Sequence, residues 1–532
     1  MRFFRCLAVC CIVANAPVWA VQAPSAYDPP VTAKASRESV NALPAEDVAV
    51  YLELLEARSV FSDYAGQNFD LRKHRDAAKD SMIGQGLTIN LDSVDLFGAP
   101  TWDGNNWVYL GSVTSVDALA LRIQVDLSAL SADEELYIID PTGPRAHGPY
   151  TAADQLESGR WLPTIDGDTA VLMVRSASEL WPRLNVVMLS HFYVGFADAA
   201  AGILKDSLAC NNPMACETNG ALNAIASGVG LMVIPNVLGD SGVCTGTLIN
   251  NPDTPAFEPY FITANHCVGT DSRARQMDII WDFREDKCFN GQAPGLASLP
   301  RSNVTNLLKT TSTFDLTLLK LDMVPSGIYG RSYAGYDTRA IKVGEDITGI
   351  HHPDADPMKI SYGTVRNPSY FSGYQKQILV HWDDGVTEPG SSGSCLLVSD
   401  GGKYYLVGVL SSGTEHQCGN TQNNVDWYGA LRNFYPDISG WLAGTNPPPA
   451  DDPVTTSDCP ADFTFKDDDE TLNALRSFRD KGLDATAPGQ ALTKTYYAAA
   501  PALRSWVEES PMFRVVFRTA ALPFAQLGRW LR

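Results

Sequence analysis

The chain has 532 residues, 45% of them apolar and 19% charged, which is enough to fill a packed core and argues against wholesale disorder. At about 150 residues per domain the length predicts roughly three units. The 61 acidic residues outnumber the 40 basic ones, for a net charge of −21; such a field repels phosphate backbones and anionic bilayers, so nucleic acid is not an expected partner, and no run reaches the ~18 apolar residues of a stable membrane span.

In chain order, a basic start (Met-Arg-Phe-Phe-Arg), an apolar run from Cys6 to Ala14 and the small-residue spacing of Val18-Trp19-Ala20 predict a secretory signal peptide over 1–20. Export sets the reading of the eleven cysteines. Cys6, Cys10 and Cys11 leave with the signal, and the rest all lie from Cys210 onward, an even set that suggests disulfides in an oxidising compartment. Val21 to about Pro44 is rich in Pro, Ala and Ser and has no period. Over Asp47 to Tyr64 the positions Val48, Tyr51, Leu52, Leu55 and Val60 predict a helix. From Leu87 to about Val194, short runs such as Trp107-Val108-Tyr109-Leu110, Leu121 to Val125 and Val171 to Val174, divided by Gly, Pro and Asp turns, predict a small β-rich domain.

The stretch 206–443 carries many short β-type runs, and its length of about 240 residues suits a double β-barrel. A stiff, polar, Pro-rich linker over 444–458 follows. The remainder, 459–532, is predicted helical, with Phe513, Val516, Phe517, Ala520 and Phe524 at helical spacing; a helix packed on its own small domain is expected there.

Three segments carry chemistry. Phe261-Ile262-Thr263-Ala264-Asn265-His266-Cys267 is an apolar run that presents a histidine. Phe314-Asp315-Leu316-Thr317-Leu318-Leu319 takes a carboxylate into an apolar strand, where it needs a hydrogen-bonded partner. Gly390-Ser391-Ser392-Gly393-Ser394 places serine between glycines. Acyl transfer explains why these types belong together: serine is a weak nucleophile, a histidine must take its proton, and a buried carboxylate must hold the imidazole in the right tautomer. The glycines let the N–H groups of Gly390 and Ser392 converge on an oxyanion, each such donor contributing about 3 to 4 kcal/mol in the transition state. The order His, Asp, Ser is that of the chymotrypsin arrangement.

Cys244-Thr245-Gly246-Thr247-Leu248-Ile249-Asn250-Asn251, the Thr-Ala-Asn-His-Cys run, Ile350-His351-His352-Pro353 and Gly385 to Ser394 resemble the secreted bacterial lysyl endopeptidases, which are trypsin-fold serine proteases. The resemblance covers about Cys210 to Leu442. It implies His266 as general base, Asp315 as orienting carboxylate and Ser392 as nucleophile, in an all-β protein with a double six-stranded β-barrel, exported to the medium, periplasm or cell surface of a bacterium. It also implies the disulfides Cys210 with Cys418, Cys216 with Cys288 and Cys244 with Cys267. Cys395 and Cys459 remain, either as a buried free thiol or as a fourth bridge.

Trypsin-like enzymes place an aspartate six residues before the serine, but Val386 stands there. In the lysyl endopeptidases the carboxylate comes from a later strand, and Val425-Asp426-Trp427-Tyr428-Gly429 resembles that segment. Asp426 is therefore the expected floor of the side-chain pocket, with Ser411 and Gly413 lining it, and cutting is expected after lysine. Ser411 and Ser412 stand where that family has His and Gly, so a preference for Arg or Glu stays open, as does an inactive protease-like module used for binding. A cut between Lys205 and Asp206 would release 21–205 as a propeptide, a partner of the enzyme along with its protein or peptide substrates. The tail resembles the CFI-box C-terminal region of some exported bacterial proteins. No cofactor is expected. His351-His352 lacks further ligands at zinc spacing, so its expected role is structural and no metal is assigned.

Overall fold

The computed structural model describes residues 43, 45–56, 62–63, 82–141, 145–193, 207–251, 258–288, 291–296, 299–372, 375–419, 423–443, 511–530 and isolated positions within 461–479. The signal peptide, the linker, Lys205, Asp206 and Cys459 fall outside these residues.

The protein is mostly β. In the N-terminal region the strands Trp107–Thr114, Thr169–Ser176, Glu135–Asp140 and Arg145–Tyr150 pair in that order into one sheet, and Met82–Asp92, Asn185–Phe192 and Ala120–Asp126 into a second. Leu121, Ile123 and Val125 alternate along their strand and meet Leu136, Ile138 and Leu172 of the other sheet, which is how an apolar period of two is used when two sheets face each other. The helix Ala45–Glu56 covers the far face with Val48 and Tyr51. The predicted helix ran on to Tyr64, but Ser62–Asp63 is instead a strand, paired in parallel with Val113 and Thr114. A free sheet edge overrode the local period there.

In the cysteine-rich region the strands Lys359–Ser372, Asp346–His351, Cys395–Asp400, Lys403–Gly413, Val425–Ala430 and Gln375–Asp384 pair in sequence, and the last pairs back with the first, which closes a six-stranded barrel. The preceding half is a curled sheet in the order Asp278–Ile280, Val229–Pro235, Ser241–Leu248, Tyr260–Thr263, Leu316–Leu321, Val304–Thr311. A shared core of Ile262, Leu316, Leu318, Ile350, Leu397 and Val409 fills the seam between the halves. The helix Leu431–Leu442 caps this core with Leu431, Phe434, Ile438 and Leu442, one apolar face at steps of three and four. Three disulfides, Cys210–Cys418, Cys216–Cys288 and Cys244–Cys267, fall within this half of the chain as the resemblance implied, and they fit an oxidising compartment. Cys395 is buried and free, and burial pushes its thiol up to about 11.

The boundary that the cysteines mark is not a gap in the fold. Met82–Asp92 pairs antiparallel with Ser241–Leu248, so the second N-terminal sheet runs straight into the curled sheet. Val229–Pro235 is buried along its whole length because both of its faces are covered. Met232 and Ile234 point into the curled sheet's own core, whereas Leu231 and Val233 meet Ile83, Ala120 and Phe192 of the N-terminal domain. Arg122 crosses the same junction, 1% exposed, and donates to the carbonyls of Leu162, Val233 and Gln276 at 3.1, 3.4 and 3.0 Å. Among the described residues no helix is long and apolar enough to cross a membrane; Pro511–Trp530 is the longest in the C-terminal region.

Candidate active site

Strand register brings the histidine to the aspartate. Tyr260–Thr263 and Leu316–Leu321 are antiparallel with Thr263 opposite Thr317, so the residues just beyond Thr263 lie across from those just before Leu316. The His266 amide donates to Asp315 Oδ1 at 2.8 Å, and ring Nδ1 lies 2.7 Å from Oδ2. A carboxylate only accepts, so Nδ1 carries the proton and Nε2 keeps its lone pair. Asp315 lies in the turn ahead of the strand rather than within it, with φ of 54°, a left-handed conformation that aspartate tolerates better than most residues. It is 5% exposed. Burial pushes its carboxyl up, but the charge of His266 and hydrogen bonds from the His266 ring, Ser411 and the His266 amide outweigh that and hold it below its ordinary value.

Ser411, on the strand Lys403–Gly413, donates from Oγ to Asp315 Oδ2 at 2.6 Å and accepts from Gln377 Nε2 at 2.8 Å. Its hydroxyl thus braces the carboxylate across the seam between the two halves.

The serine loop is laced to the same elements. Thr245 N–H donates to Ser392 O at 2.8 Å, and Gly393 N–H to Leu410 O at 2.8 Å. Thr245 Oγ1 donates to Gly390 O at 2.9 Å. Gly390 and Gly393 have φ of 95° and 82°, and a Cβ at Gly393 would fall 2.2 Å from Thr263 Oγ1 and 2.4 Å from Thr245 O. Only glycine fits there. The cystine Cys244–Cys267 ties Thr245's neighbour to the residue after His266, so loop and histidine share one anchor. Neither the Gly390 nor the Ser392 amide has a backbone acceptor among the described residues, which suits groups held ready for a ligand.

His351 is fully buried and set by its neighbours. Ser361 Oγ donates to Val386 O at 3.0 Å, so it accepts from His351 Nε2, also at 3.0 Å. Nδ1 is then left to accept from Ser391 Oγ at 2.9 Å. Burial pushes His351 down to about 3 and His352 down to about 4, so both rings are neutral and structural. The sulfurs of Cys244 and Cys267 lie with a ring nitrogen of His266 inside 4.8 Å, but they are bonded to each other and have no thiolate to offer a metal.

Asp426 is fully buried beneath the strand ends. Its Oδ2 accepts from Trp382 Nε1 and Thr387 Oγ1, both at 2.6 Å, and a Cβ at Gly413 would fall 2.0 Å from Oδ1. Any side chain at position 413 would therefore press on Oδ1.

Residues 204–429 match the family model described as lysyl endopeptidase, C-terminal domain. The lysyl endopeptidase of Pseudomonas aeruginosa is 30% identical over 304 residues, 53% of this chain and 63% of that protein. Over this region the chain is similar to the lysyl endopeptidases. It spans just under two thirds of that relative's length. The secreted RxLR effector protein 73 of Plasmopara viticola is 27% identical over 192 residues, 34% of this chain and 42% of that one. Among solved structures, a protease from M. tuberculosis in its active form gives a TM-score of 0.31 at 13% identity over 46% of this chain and 92% of that one. Human heparin binding protein also gives 0.31, at 16% identity over 43% and 95%. Scores this low do not define a fold, which rests on the strand pairings above.

The sequence-predicted His266, Asp315 and Ser392 segments meet at one seam, and Asp426 and Gly413 face each other. Lys205 and Asp206 lie outside the described residues. Sequence reasoning missed Trp382 and Thr387, the donors that fix Asp426, and His416, whose Nε2 stands 3.1 Å from Asp426 Oδ1. Trp382 sits in a run that reads as plain strand, and Thr387 in a motif read for its serine alone. His416 is a single histidine in a loop, and no spacing marks it.

Proposed function

We propose that this protein is a secreted serine endopeptidase with a trypsin-like double six-stranded barrel, cutting on the carboxyl side of lysine. The observation that supports the reading is the paired contact of His266 with Asp315, through backbone N–H and Nδ1 together, which puts the ring proton on Nδ1 and makes Nε2 the basic nitrogen. In this mechanism Ser392 Oγ attacks the peptide carbonyl as Nε2 accepts its proton. The amides of Gly390 and Ser392 hold the oxyanion, and His266 returns the proton to the leaving amine. An acyl-enzyme forms on Ser392, and water, deprotonated by the same Nε2, releases it. Buried Asp426 supports a preference for a cationic side chain at the cut residue (P1), since a carboxylate out of water is costly until a cation reaches it.

Residues 21–205 act in this reading as a propeptide, and release after Lys205 is self-processing by a lysine-specific enzyme; the N-terminal sequence of the mature protein would refute it by starting far from Asp206. The main test is hydrolysis of fluorogenic peptides carrying Lys, Arg, Glu or Phe at P1, alongside Ser392→Ala. Lysine-selective cleavage and fluorophosphonate labelling, both lost in the variant, are expected. No cleavage and no labelling of the wild type would leave a protease-like binding module.

A further inference from the structure

The loop after Lys403–Gly413 returns a histidine to the aspartate at the pocket floor. His416 is 7% exposed, and its ring is placed at both nitrogens. Nδ1 lies 2.5 Å from the Thr387 carbonyl oxygen, an atom that only accepts, so Nδ1 carries a proton. Nε2 lies 3.1 Å from Asp426 Oδ1. A neutral ring with its proton on Nδ1 would aim a lone pair at a carboxylate oxygen; the imidazolium aims an N–H. The contact is out of line for a good hydrogen bond, so charge rather than alignment holds the pair. Trp382 and Thr387 already fill Oδ2. His416 stands at the oxygen that remains.

Few other charges face this pair. His351, from Asp346–His351, is neutral, pushed down to about 3 by burial. Tyr428, from Val425–Ala430, is kept neutral because burial and Asp426 push it well above its ordinary value. Glu415, the neighbour in the loop, is exposed. Burial pushes His416 down, but the adjacent Asp426 carboxylate and the backbone carbonyls of Thr387 and Val425 outweigh it and raise it above its ordinary value.

We infer that His416 is a resident cation of the side-chain pocket, competing with the substrate ammonium for Asp426 Oδ1, so that protonated His416 turns lysine away and neutral His416 admits it. The inference rests on the proposed function and adds a residue that decides specificity. Two cations cannot share one buried carboxylate oxygen without strong mutual repulsion. Loss of the proton from Nε2 leaves Asp426 with an unmatched charge that a lysine ammonium can meet.

The test is the ratio of kcat/KM for a peptide anilide with lysine at P1 to that for its norleucine counterpart, followed from pH 5.5 to 9. His266 titrates equally in both reactions and cancels from the ratio. The ratio is expected to rise with pH, by up to about tenfold per unit while His416 is protonated, then level off. In His416→Gln it is expected to be flat and higher than wild type at pH 6. A flat wild-type ratio with both peptides cleaved overturns the inference and leaves the protease reading intact. An unchanged slope in His416→Gln also overturns it. If neither peptide is cleaved, the protease reading falls and takes this inference with it.

Discussion

Asp315→Asn isolates what the carboxylate does for His266. The side chain accepts from the His266 amide at Oδ1 and from His266 Nδ1 and Ser411 Oγ at Oδ2. An amide can accept on one side only. If its oxygen stays with the His266 amide, its NH2 faces Nδ1, which must then accept; the ring proton moves to Nε2, and Ser392 loses its base. If the amide turns over, its NH2 opposes the His266 N–H at 2.8 Å at the buried Asp315 position, which costs about 1 to 3 kcal/mol for an unsatisfied donor. The first orientation wins, and the wrong tautomer is expected to lower kcat by about four powers of ten, or about 5.5 kcal/mol. The assay is hydrolysis of the lysine anilide at pH 7 to 8, with thermal unfolding as a check on the fold. A folded variant keeping more than a tenth of the activity would refute the tautomer argument. The variant should also differ at acid pH. Because the native carboxyl is held below its ordinary value, it adds stability that is full above about pH 4 and is lost as pH falls through the depressed value; Asp315→Asn should lack that acid limb.

Glu388 behaves in the opposite sense. Burial and the nearby carboxylates Asp354 and Asp356 push it up to about 7 against the hydrogen bonds from Leu208 and Asn211, so the folded state holds a proton that the unfolded chain releases, and stability falls as pH rises from about 4.5 to 7. In a Ser392→Ala background, Glu388→Gln should raise stability at pH 8 by up to about 3 kcal/mol and change it little at pH 4; equal effects at both pH values in urea unfolding would refute this. Replacing Cys244 and Cys267 together by serine opens a loop with a sequence separation of 23 and should cost about 3 kcal/mol in the same assay. An unchanged urea midpoint would count against the cystine as an anchor.

The elements legible in the sequence are those whose residue types were already unusual for their surroundings. A carboxylate beside an apolar strand, a histidine closing another, and glycines around a serine each conflict with simple strand patterning, and the register of Thr263 against Thr317 resolves two of these conflicts at once. Asp426 was legible only through resemblance, since an aspartate in Val-Asp-Trp-Tyr-Gly reads equally well as a turn. The contact of Ser411 with Asp315 was not legible, because a strand pattern fixes which face a hydroxyl points to and not which acceptor waits across a seam between two sheets. His416 was illegible. Its charge depends on an acceptor at Nδ1 and an anion at Nε2, both brought from distant positions.

The N-terminal domain was legible as a β-rich stretch but not as part of the disulfide-bonded half, and Val229–Pro235 shows why. A continuous apolar run predicts a strand buried on both faces, yet it does not say which chain segment supplies the second cover. Here the cover is Ile83, Ala120 and Phe192, packed on Leu231, Val233, Val243 and Ile280. Polar contacts on the same junction have partners on both sides: Gln276 Oε1 accepts from Trp161 N–H at 3.0 Å, and Asp278 Oδ2 accepts from Thr164 N–H at 2.9 Å. Without residues 82–193 those apolar side chains would face water, and Arg122 would no longer bridge the Val233 and Gln276 carbonyls. An N-terminal domain joined in this way contributes a strand, a core layer and a buried cation to the sheet that carries His266, so the stability of that sheet is coupled to the domain that precedes it.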